Sequence, residues 1–143
     1  MKYNNQQAVF DHVASHLAQQ KVCALVLTKN DTGYGGYCQL RGDNNTSCAV
    51  GCLIPDDEYM PEMEALSSLS VVAKKGPLFE WCVKNVAPEL MPLIKSLQRV
   101  HDSGHEWWSD NLQKCAKENQ LEFDQRAFDR HLAQPVQATG ETA

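Results

Sequence analysis

The chain has 143 residues, 43% hydrophobic and 22% charged, which is one domain's worth with enough apolar side chains for a core, and which excludes disorder as the default. Thirteen Lys and Arg against eighteen Asp and Glu leave a net charge of −5, and no basic run supplies the phosphate neutralisation on which duplex binding rests. No stretch reaches the ~20 apolar residues of a membrane span. The polar start from Met1 to Val9 lacks the basic end and apolar centre of a secretion signal, so a cytoplasmic location is expected.

In chain order, Val9, Val13 and Leu17, flanked by Phe10 and Ala14, predict an amphipathic helix from about Asn5 to Gln20, with Asn4 or Asn5 as its cap. His12 and His16 share a helical spacing on this element and are expected to border solvent. Val22 to Thr28, the turn residues Asn30 to Gly33, and Tyr34 to Leu40 predict a β-hairpin. After a second turn at Gly42 to Asn45, Thr46 or Ser47 is expected to cap a short helix ending before Pro55. Pro55 to Met63 carries four acids and two prolines and reads as an exposed connector. Leu66 to Val72 is apolar and stops at Lys74-Lys75-Gly76-Pro77. Phe79 to Val86 is a short helix candidate, and Leu90, Leu93, Ile94, Leu97 and His101 predict a helix opening at Pro88. Ser103-Gly104-His105-Glu106 matches a capping box, so a further helix is expected from about Gly104 to Asn119. Phe123, Phe128 and Leu132 predict one more packing segment. Residues 1–133 read as one globular domain and 134–143 as a disordered tail.

The six cysteines are Cys23, Cys38, Cys48, Cys52, Cys82 and Cys115. Without a secretion signal they are expected as free thiols, and no pair has the C-x-x-C spacing of a redox or zinc motif.

Tyr37-Cys38-Gln39-Leu40-Arg41-Gly42, then Cys48-Ala49-Val50-Gly51-Cys52-Leu53-Ile54-Pro55-Asp56 with Glu58-Tyr59 and Pro61-Glu62-Met63-Glu64, then Leu97-Gln98-Arg99-Val100-His101-Asp102 form a pattern. It resembles a group of small phage and prophage proteins with CxYRG, CAxGxLIPDxxY and LQxxHD segments. The resemblance runs from about Phe10 to Leu121. It departs at Leu40, where members often carry an aromatic residue, and in the longer Val22–Tyr34 stretch. It implies a mobile-element context, in which small proteins commonly bind and disable host machinery such as CRISPR complexes.

Several residue groups are candidates for chemistry. Cys48, placed at a helix start, has the surroundings that stabilise a thiolate, and His101 with Asp102 or Asp110 follows in the order of papain-like enzymes. Asp102 is His101's sequence neighbour, however, and neighbours on a helix do not face each other, which leaves that triad incomplete. The competing reading packs Cys48, Ala49 and Cys52 as small buried residues. Cys38, Cys48, Cys52 and His101 could together make a tetrahedral zinc site. Arg41 is either a clamp for a carboxylate, a phosphate or a small nucleotide, or an internal ion pair with Asp56 or Asp102. Trp107-Trp108 places two rings where one can face the core and the other either a partner or, as a lid, the helix pair. Asp56, Asp57 and Glu58, with Glu62 and Glu64, either engage a basic host surface or form a solvated loop.

The expectation is therefore an α+β, mostly helical domain with a small β-hairpin. Its expected function is binding to a host protein, for example a component of an antiviral defence. A small Cys/His-dependent hydrolase or transferase and a zinc-stabilised interaction module are the alternatives, and no membrane or duplex nucleic acid is expected as a partner.

Overall fold

The computed structural model describes residues 2–30, 33–64 and 76–135; for 25–30 and 33–38 it describes the backbone alone. Helix α1 spans Gln6–Gln20. The Asn5 side chain accepts the Ala8 amide at 2.8 Å, and Lys21 closes the helix in a left-handed conformation, φ 68°, with its N–H on the Leu17 carbonyl. Its buried face is Val9, Phe10, Val13, Ala14, Leu17 and Ala18, the stripe expected from the periodicity.

Strands β1 (Leu25–Asn30) and β2 (Gly33–Cys38) form the antiparallel hairpin, paired from Leu25↔Cys38 to Asn30↔Gly33. The next segment departs from expectation. Thr46 and Ser47 do not cap a helix; they are strand β4, paired with β3 at Arg41–Gly42. The loop between them is a 3-10 turn, Asp43–Asn45, in which Asn44 and Asn45 both take φ 60°, a conformation asparagine tolerates better than most residues. The Cys48 N–H then donates to the Leu40 carbonyl, prolonging the ladder. Only one 3-10 turn, Gly51–Leu53, follows before Pro55. Close approach of two backbones rules out the longer helix: a Cβ on Gly51 would lie 2.2 Å from the Leu40 oxygen.

A 3-10 turn at Pro61–Glu64 precedes α2 (Pro77–Asn85), and the apolar stretch Leu66 to Val72 lies outside the described residues. Tyr3 bridges to Val86 in parallel, which ties the start of the chain to the end of α2. A 3-10 turn at Pro88–Leu90 leads into α3 (Met91–Asp102), the strongly periodic helix expected from Pro88 onward. The capping box does not form. Ser103 is in the helical region, and its hydroxyl donates back to the Val100 carbonyl at 2.6 Å, so it caps the end of α3 instead of the next start. A 3-10 turn, His105–Trp107, therefore precedes α4 (Trp108–Glu118). Finally α5 (Gln125–Ala133) begins at Asp124, whose carboxylate accepts the Ala127 amide. Of the expected tail, residues 136–143 lie outside the described residues.

The architecture is α+β and mostly helical. Helix α1 packs on α3 and α5, and α4 packs on both α3 and α5. One core cluster runs through these helices and takes in Leu40, Cys48, Leu53 and Ile54 from the central segment. Burying such a Leu or Ile side chain is worth about 1.5–3 kcal/mol. Among the described residues no helix is long and apolar enough to cross a membrane.

Candidate functional site

Arg41, Glu64, Gln98 and His101 turn their polar atoms onto backbone groups. Arg41 sends Nη1 to the Gly51 carbonyl at 2.5 Å and Nη2 to the Ile54 carbonyl at 2.7 Å, while its guanidinium lies 4.7 Å from the centre of the Tyr59 ring. Nη2 also meets Asp56 at 3.2 Å, but that carboxylate is 100% exposed, so the pair adds little beyond the two carbonyl contacts. Of the two partners expected for an internal pair, the structure pairs Asp56 with Arg41, and Asp102 is engaged elsewhere. Glu64 completes the clamp from the other side. Its two carboxylate oxygens accept the Leu40 and Arg41 amides, each at 2.9 Å, and the Tyr59 hydroxyl at 2.8 Å. Burial and the Glu64 carboxylate together push the Tyr59 phenol up to about 12.

The second convergence is a relay along α3. His101 has no exposed surface. Its Nε2 accepts the Ala24 amide at 3.0 Å, so the ring proton is on Nδ1, which donates to Asp102 Oδ1 at 2.9 Å. The expectation that these neighbours would not meet is corrected: at the end of α3 the Asp102 carboxylate turns back to the ring. Gln98 donates to that same Oδ1 at 2.9 Å and accepts the Val50 amide at 3.0 Å. The His101 carbonyl accepts Trp108 Nε1 and the Cys23 thiol, and the Trp108 ring stacks on the imidazole with centroids 5.9 Å apart. The Leu97 to Asp102 motif thus ties the central turn, the hairpin entry and α4 to one helix.

A third set comes from α1. His12 Nε2 donates to the Cys52 carbonyl at 3.0 Å, and His16 Nε2 donates to the Ser47 carbonyl at 2.8 Å; Gln20 both accepts the Ser47 amide and donates to its carbonyl. His12 is exposed and His16 half-buried, so both border solvent as expected, and each also holds a backbone carbonyl of the central segment. Burial holds the His16 pKa below its ordinary 6.5, with His12, His101 and Arg41 adding to the depression against the Ser47 hydrogen bond.

This arrangement decides how the cysteines are used. Cys48 is fully buried, and its sulfur accepts the Gly51 amide at 3.2 Å, but burial outweighs that bond and pushes the thiol up to about 12. The helix start that was to activate it is one 3-10 turn. The Cys52 thiol donates to the Ala49 carbonyl and is likewise raised by burial. Among the described residues no hydrogen bond joins Cys48 to His101, whose ring nitrogens already have partners. Asp110 accepts from Gln125 and is not an orienting carboxylate for His101. Of the proposed zinc ligands, Cys48, Cys52 and His101 all engage backbone or Asp102, and the side chain of Cys38 lies outside the described ones. Among the described residues no group of three or more His, Cys, Asp or Glu side chains could hold a metal ion. Cys23, Cys48, Cys52, Cys82 and Cys115 carry free thiols.

The outward-facing candidates are fewer. Trp108 is fully buried, whereas Trp107 is 56% exposed. Asp56 and Asp57 face solvent, and the partly exposed Glu58 is held by two partners. It accepts Lys2 Nζ at 2.8 Å and Trp81 Nε1 at 3.0 Å, and these bonds hold its carboxyl below the usual range. A cleft of about 530 Å³ opens beside it, lined by Met60, Met63, Glu80 and Trp81. Sequence reasoning missed Gln98, Gln20 and the structural use of Glu64. A polar residue on an otherwise apolar helix stripe was the available signal for Gln98; the other two gave none. Compared with known proteins, the chain matches no family model, no curated protein and no solved structure.

Proposed function

We propose that this protein is a phage or prophage accessory protein that acts by binding a host protein, such as a component of an antiviral defence complex, through its outward-facing residues. The observation that carries this reading is the contrast between two adjacent rings: Trp108 fills the core against His101, while Trp107 is 56% exposed and contributes nothing to that packing. An exposed tryptophan is the residue type most often found at the energetic centre of an interface. Asp56 and Asp57 offer a basic partner a charged rim, with Asp56 held in place by Arg41. The phage-like pattern supports the context. Arg41, Cys48 and His101 support the binding reading indirectly, since each is committed to holding backbone and none is turned toward a substrate.

The test is capture of partners from a bacterial host lysate with the wild-type chain, Trp107→Ser and Asp57→Lys. A host protein retained by the wild type and lost with Trp107→Ser is the expected result. A capture profile that neither substitution alters overturns the proposal. So does substrate turnover by the purified protein that Cys48→Ala abolishes, which would restore the hydrolase or transferase reading.

A further inference from the structure

We propose that the groove between α3 and α4 binds the phosphate group of a small phosphorylated molecule, with Arg99 and Lys114 as its cationic walls. The groove has a volume of about 190 Å³ and is lined by Ser96, Arg99 and Val100 from α3 and by Asn111, Lys114 and Glu118 from α4, over the buried Cys115. Arg99 and Lys114 come from opposite helices, and among the described residues neither is in an ion pair. Two like charges lining one small groove repel each other, and an anion between them removes that repulsion.

Ser96 and Asn111 supply the neutral polar lining. Arg99 Nη2 donates to Ser96 Oγ at 3.1 Å, which steadies a guanidinium whose planar fork matches phosphate oxygens. One N–H of the Asn111 amide donates to Ser103 Oγ at 3.0 Å. Among the described residues Glu118 is the only carboxylate lining the groove, although the chain as a whole carries −5. Lys95 lies one helical turn before Arg99 on α3, adding positive charge to the same wall. The volume is smaller than the ~300–1,000 Å³ typical of sites that enclose a whole drug-sized ligand. The groove therefore takes a phosphate-sized group and leaves the rest of the molecule outside.

The experiment is a titration of the full chain, followed by the backbone amide resonances of Ser96, Arg99, Asn111 and Lys114, with inorganic phosphate, pyrophosphate and adenosine diphosphate as probes. Saturable shifts confined to these residues are expected, with a dissociation constant no weaker than about 1 mM at low salt. Arg99→Gln and Lys114→Gln should each weaken binding by about tenfold and lower the salt dependence by about one released counterion. Glu118→Gln should tighten it, and Arg130→Gln, remote on α5, should leave it unchanged. Equal affinity for pyrophosphate and the nucleotide would place recognition in the phosphates alone, and a tighter nucleotide would add contacts to its remainder; either result upholds the site. The proposal is overturned by the absence of saturable shifts at about 10 mM probe, or by binding that Arg99→Gln and Lys114→Gln leave intact. Both substituted positions are exposed, so retained melting temperatures separate lost binding from lost fold. Host-protein capture is read with Trp107→Ser and phosphate binding with Arg99→Gln and Lys114→Gln, so either proposal can fail without the other.

Discussion

In the segment from residue 40 to 64, much of the backbone is held by side chains, Arg41 and Glu64 from the segment itself and others from α1 and α3. In the bundle of α1, α3, α4 and α5, the backbone holds itself and the side chains supply apolar packing. The first region has two two-residue strands and three 3-10 turns, so it leaves many amides and carbonyls to be satisfied by side chains. Arg41, Glu64, Gln98, His12, His16 and Gln20 do this, each with a specific partner atom. A helix interchanges leucine for methionine at little cost, whereas a side chain that must meet one particular carbonyl has few substitutes. A dense, recognisable pattern of polar residues can therefore mark a backbone clamp as readily as an active site.

Substitutions should separate the two regions, beginning with Gly51→Ala. Its Cβ would lie 2.2 Å from the Leu40 oxygen, a backbone atom with nowhere to go. A loss of about 3 kcal/mol or more is expected in chemical denaturation, and an unchanged midpoint would show that the close approach is absent. Arg41→Ala comes next, because it strands the Ile54 carbonyl and takes one of two donors from the Gly51 carbonyl, which keeps the Ile54 amide; about 1–3 kcal/mol is expected, with Asp56→Asn costing under about 1 kcal/mol. Equal losses at the two positions would mean that the ion pair, and not the carbonyls, is what Arg41 serves.

The relay on α3 is suited to a double-mutant cycle. His101→Gln and Gln98→Leu meet at Asp102 Oδ1, so their effects should couple by about 0.5–3 kcal/mol, whereas Gln98→Leu and the distant Phe128→Leu should add. Strict additivity of the first pair would dissolve the relay into independent bonds.

Acid should act on the clamped region before the bundle. The folded pKa of His16 lies below its ordinary 6.5, so the unfolded chain takes up a proton first as pH falls. The stability it contributes is present above about pH 6.5 and is lost as pH falls toward the folded pKa. Hydrogen exchange of the Cys48 and Val50 amides should quicken over that interval and His16→Gln should flatten the dependence; an unaltered profile would remove His16 from the account. The smallest effect belongs to Trp107→Ser, which should change stability by no more than about 0.5 kcal/mol, as befits a ring that packs little.

Much of the helical region was legible from local rules. The α1 stripe and its Asn5 cap, the periodic α3 and the position of the hairpin all depend on residues within a few positions of one another. The misread elements are those where two uses of the same residues compete within a few positions. Thr46 and Ser47 carry the chemistry of a helix cap but are drawn into a ladder with Arg41 and Gly42, and Ser103 turns back to α3.

By itself the sequence determined the α+β class and the apolar faces, because hydrophobic periodicity and side-chain size act through local geometry. Only the tertiary structure decided that Arg41, Cys48 and His101 look inward. A hydrogen-bond partner is chosen by position in space, and the partners of these three, the Ile54 carbonyl, the Gly51 amide and the Ala24 amide, are backbone groups whose availability no residue name reveals.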